Sequence, residues 1–147
     1  MHVLKNDHQG RDMIDHHRAL IYTMVLASAS DGDMTDNELH TISENVRFLP
    51  AFRGFDVEEL TEVATECTEL LGDPEGLEKT LAAIKLSLTK SLRETAYMLA
   101  CEVVASDARA SQEELRMLEL IRHGLDIDRL TAAALERGAR ARHVTGG

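Results

Sequence analysis

The sequence predicts an all-α protein, a single-domain helical bundle of about six to seven helices. Three observations carry that expectation: apolar residues recur at three- and four-residue spacing, strand-like alternation is absent, and two Ser/Thr-x-x-Glu phrases mark helix starts 76 positions apart. Ile14, Ala19, Leu20, Tyr22, Val25, Leu26 and Ala29 lay one apolar stripe along a first helix. Thr35 with Glu38 forms a capping box that opens a second from Asp36 to Leu49, stopped by PAFRG. A third, Val57 to Leu71, closes at Gly72. Asp73 as cap, with Pro74 at the first helical position, starts a fourth that reaches about Leu88, and a fifth spans Ser91 to Ser106. Ser111 with Glu114 forms the second capping box; its helix is expected to end at Gly124 in a left-handed terminating position, and Asp128 caps a last helix to Arg142. The bundle therefore occupies residues 14–142, between an N-terminal segment 1–13 and a disordered tail 143–147.

The two boxes belong to a longer repeat. ASDGDMTDNELHTI at 29–42 returns as ASDARASQEELRML at 105–118, so Ala29, Ser30, Asp31, Glu38 and Leu39 recur as Ala105, Ser106, Asp107, Glu114 and Leu115. Two copies at so long a period are too few for a solenoid. They predict two helical hairpins related by a pseudo-twofold axis, with the intervening helices completing the bundle.

Composition narrows the function. The chain of 147 residues is large enough to bury its own core. Its net charge of −10 is concentrated between Asp31 and Glu78, where five Asp and nine Glu meet only Arg47 and Arg53. Phosphate neutralisation needs clustered cations and base stacking needs aromatics, so nucleic acid is not an expected partner. No segment has the apolar length of a membrane span or signal peptide, and Cys67 and Cys101 lack metal-knuckle spacing. A cytoplasmic protein with two buried free thiols is expected; its oligomeric state is left open.

At the repeated turns the chain resembles the tellurite-resistance TerB family, in which an alanine-aspartate-glycine turn and a capped, glutamate-bearing helix occur twice around an all-α core. The resemblance covers about residues 14–142. It implies a cytoplasmic stress-response module, without established catalysis, that chelates metal through acidic residues; by position these are Asp31 and Glu38 in one copy and Asp107 and Glu114 in the other. The second turn departs from the pattern, with Ala108 in place of Gly32 and Arg109 in place of Asp33.

The residues permit that chemistry without requiring it. Calcium and magnesium take oxygen ligands, and Asp31, Asp33, Glu38, Asp107 and Glu114 supply carboxylates if a pseudo-twofold brings the turns to one end, with Asp31 and Asp107 within about 12 Å. Glu38 and Glu114 have a competing role as reciprocal caps. Residues 31–42 are not an EF-hand: Asp36 stands where that loop needs glycine and Ile42 where it needs glutamate. His16 and His17 diverge by about 100° on a helix and, with His2 and His8, are expected to be solvated. ERGARAR, with Arg137, Arg140 and Arg142, suits a helix C-terminus or an acidic surface. No nucleophile elbow, phosphate loop or HExxH is present, so no enzyme is expected. Two alternatives stand beside the metal-binding module: an adaptor whose acidic face docks a basic protein without metal, and, further off, a metal-dependent hydrolase.

Overall fold

The computed structural model describes residues 5–6, 12–30, 32 and 34–146. A two-residue antiparallel pairing, β1 (Lys5–Asn6) with β2 (Asp12–Met13), precedes seven α-helices. These are α1 (His16–Ala29), α2 (Asp36–Phe48), α3 (Leu60–Leu71), α4 (Gly76–Ser87), α5 (Lys90–Ala105), α6 (Gln112–Gly124) and α7 (Arg129–Arg142). Helices α1 and α5 form the central pair, with α3 on α1 and α7 on α5. The second helix of each hairpin rests on both central helices, α2 and α6 alike touching α1 and α5, and α4 links the halves.

Being central changes α1. Its residues from Ala19 to Ser28 are all buried, so the expected one-sided stripe is instead a helix enclosed all round. Thr23 and Ser28 are accommodated because their hydroxyls donate to the carbonyls of Ala19 and Val25. Ile14 lies outside the helix, which begins after Asp15; that carboxylate caps Arg18 N–H. Helix α5 is likewise capped earlier than its pattern suggested, by Thr89.

Three other boundaries differ from expectation. The third predicted helix breaks in two, a 3₁₀ turn (Val57–Glu59) capped by Asp56 and then α3. The fourth starts at Gly76, not at Pro74: Pro74 and Glu75 form the middle of a turn closed by Gly76 N–H donating to Asp73 carbonyl, with Glu75 left-handed at φ 61°. Gly76 is required there because a Cβ would stand 2.2 Å from the Leu70 carbonyl oxygen. Gly124 ends α6 without a left-handed conformation; Asp126 takes it at φ 55°, one residue beyond the cap Leu125. His17, expected in solvent, packs between Phe52 and Phe55 with ring centroids 6.0 and 5.4 Å away, and burial lowers its proton affinity. The two cysteines are buried and free as expected, their thiols pushed up to about 12 by burial, which leaves them unreactive.

Candidate metal centre

Both capping boxes form completely. The Thr35 hydroxyl accepts from Glu38 N–H while Glu38 Oε1 accepts from Thr35 N–H at 2.9 Å; Ser111 and Glu114 repeat the arrangement with the same 2.9 Å return bond. Each glutamate is thereby folded back over the first turn of its own helix. Because α2 and α6 both begin beside the junction of α1 and α5, the two folded-back carboxylates meet.

Asp107 completes the group from the turn before α6. Its carboxylate accepts from the Thr35 hydroxyl, at 3.1 Å to each oxygen, and from Asn37 Nδ2 at 3.3 Å. The second turn thus reaches across to the start of the first half's helix. One carboxylate oxygen from each of Glu38, Asp107 and Glu114 lies within 4.8 Å of the others. Oxygens on opposite sides of magnesium stand about 4.2 Å apart and of calcium about 4.6–5.2 Å apart, so these separations suit either ion.

The electrostatics are unbalanced. Glu38 is 0 % and Glu114 3 % exposed, and among the described residues no lysine or arginine pairs with any of the three carboxylates. Glu38 Oε2 is buried without a hydrogen-bond partner. Burial, then proton sharing with Glu114, pushes the Glu38 carboxyl up to about 8, with Asp107 adding repulsion. Without a cation, Glu38 therefore holds a proton at neutral pH. An all-oxygen set with a buried, unsatisfied carboxylate oxygen fits a hard divalent cation; it has neither the nitrogen nor the sulfur that zinc favours.

Of the five residues expected to ligate, Glu38, Asp107 and Glu114 come together. Asp31 and Asp33 lie outside the described residues, and with them the expected Asp31–Asp107 distance. Capping, read in the sequence as a rival to ligation, takes only one oxygen of Glu38: Oε1 caps, and Oε2 is buried without a partner. Thr35 and Asn37, which hold Asp107, were not legible as site residues. A capping threonine does point its hydroxyl out of a helix start, but nothing in the sequence places Asp107 opposite it. The turns also differ in backbone, Gly32 taking φ 91° where Ala108 has no positive φ. Of the C-terminal cations, Arg142 pairs at 2.6 Å with the buried Glu102, which lies outside the acidic segment.

The family model for Tellurite resistance protein TerB matches residues 17–137. Neither a curated protein nor a solved structure gives a significant match.

Proposed function

The chain belongs to the TerB family of tellurite-resistance proteins, and from that membership we propose that it is a non-enzymatic, cytoplasmic stress-response module that holds magnesium or calcium between Glu38, Asp107 and Glu114. The observation that carries the reading is Glu38 Oε2, buried, unpartnered and beside two further carboxylates. A cation there replaces the shared proton and ties the start of α2 to the turn before α6. The chemistry it supplies is cross-linking of the two halves by charge, so occupancy stabilises the fold: an ion at 100 times its Kd adds about 2.7 kcal/mol. The first turn's Asp31 and Asp33 belong to the same reading as additional acidic groups, and the Arg109 cation next to Asp107 as its modulator.

Calorimetric titration with magnesium, calcium and manganese tests it. Saturable binding is expected in the wild type, loss in Glu38→Gln and Glu114→Gln, weakening in Asp107→Asn and strengthening in Arg109→Asp. Ser111→Ala is the control, because among the described residues its hydroxyl bonds only Glu114 N–H; Thr35→Ala is not, since it also releases Asp107. Flat titrations at millimolar ion overturn the reading.

The adaptor is the second reading, favoured by α3 and its flanks. Glu59, Glu62, Glu69 and Asp73 are exposed at three- and four-residue spacing, with Glu66 among them engaged by Arg18 at 3.0 Å. A basic partner held there would dissociate steeply as salt is raised.

A further inference from the structure

We propose that the cavity between α5, α6 and α7 binds a small organic carboxylate with an apolar body. The cavity has a volume of about 580 Å³, within the range of small-molecule sites. Cys101, Val104 and Ala105 of α5 make its floor, and Leu115 and Leu118 of α6 one wall. Leu115 is 45 % exposed and lies on this wall, so an apolar occupant gains by covering it.

The charged groups around the cavity decide the sign of the occupant. Asp107 is held by Thr35 and Asn37, Glu119 by Arg116 at 3.1 Å, and Glu136 by the Tyr97 hydroxyl at 2.6 Å. Arg122 bonds the Ile127 carbonyl and His123, and His143 bonds Glu102. Arg140 is the remaining one: exposed, on the α7 wall, and without a hydrogen bond or ion pair among the described residues. A planar guanidinium beside an apolar floor recognises a carboxylate through paired N–H donors while the hydrocarbon lies along the aliphatic lining. Asp107 and Glu136 keep their charge, being held by neutral donors, but each lining carboxylate already accepts a hydrogen bond or ion pair, whereas the Arg140 donors are unused. A carboxylate is the occupant that gains new paired hydrogen bonds there, and an amine is the comparison that tests the sign.

Octanoate is the probe, titrated into the full chain in EDTA so that no divalent ion bridges it to Asp107, with octan-1-ol, octylamine and inorganic phosphate as comparisons. Saturable octanoate binding is expected, with perturbation of the Val104 and Leu118 methyl resonances. The alcohol should bind about tenfold more weakly, and the amine and phosphate not measurably. Arg140→Gln should lose about tenfold in octanoate affinity while leaving the alcohol unchanged. Arg140 is exposed and makes no hydrogen bond or ion pair among the described residues, so Arg140→Gln is expected to fold, and its unchanged alcohol binding reports an intact cavity. The proposal is overturned if octanoate does not bind at millimolar concentration, if the amine matches it, or if Arg140→Gln binds octanoate as the wild type does. Binding that requires added magnesium also overturns it, because the anchor is then the ion and not the guanidinium.

Discussion

The two halves of the molecule repeat their capping boxes atom for atom yet differ in how completely they are closed. Beside the capping glutamate that each buries, α2 buries Thr41, Ile42, Asn45 and Val46, whereas α6 buries Ile121 alone. The connections explain it. Residues 49–59 follow α2 and carry Phe52 and Phe55 into the core and its edge, whereas only residues 125–128 follow α6. Each half ties its third helix to its first by a tyrosine–glutamate bond, Tyr22 to Glu66 at 3.4 Å and Tyr97 to Glu136 at 2.6 Å. Only Glu66 also has an arginine, Arg18, whose counterpart by the repeat is Glu94. Duplication thus preserved what positions the carboxylates and let the surroundings diverge.

Truncation at equivalent positions offers the hardest test of that difference. Ile42 is 2 % exposed and Leu118, its counterpart, only partly buried. Ile42→Ala is expected to cost about 2–5 kcal/mol and Leu118→Ala about 1 kcal/mol in urea unfolding. Equal losses would mean that the second half is as closed as the first.

A smaller effect separates the shared carboxylate pair from either half's packing. The folded-state affinity of Glu38 for its proton is raised, so in EDTA the folded chain holds a proton that the unfolded chain releases. That contribution is complete below the ordinary glutamate range and is lost as pH rises from about 4.5 to about 8. The slope is at most about 1.4 kcal/mol per pH unit for one proton. Thermal unfolding should therefore show stability falling through this window, and Glu38→Gln, whose amide oxygen still accepts from Thr35 N–H, should flatten the curve and be the more stable at pH 8. Glu114 and Asp107 face Glu38, so the flattening rather than the absolute midpoint is the readout. His17, whose folded-state proton affinity is lowered, adds an opposite slope to both proteins, so a Glu38→Gln curve parallel to the wild type's is the result that would place no proton on Glu38.

The smallest effect concerns what the halves have in common. Ser111→Ala removes a cap and should cost about 1 kcal/mol, within a range of about 0.5–2 kcal/mol. Thr35→Ala should cost more than its counterpart, because its hydroxyl also donates to Asp107. Identical losses would show that this cross-half hydrogen bond contributes nothing to stability.

By itself the sequence determined the helical class, the duplication, both capping boxes and the three carboxylates that come together at the candidate centre. These are local properties: periodicity, a cap three residues before its glutamate, and a phrase repeated at fixed offset all act within a turn or two of helix. Some boundaries failed for equally local reasons that compete closely, as where Pro74 serves a turn as readily as a first helical position. What only tertiary structure decided was encounter. Nothing within the repeat says that α2 and α6 each pack against both α1 and α5, that Asp107 meets Thr35, or that Glu38 keeps one oxygen for its cap and buries the other without a partner. The same holds for His17, whose neighbours Phe52 and Phe55 arrive from some 35 residues away, and for Arg140, left over only once every other charge around the cavity has found its contact. Contacts between distant segments depend on how whole helices pack. That packing is set by the sum of many buried apolar surfaces, a quantity no short stretch of sequence displays.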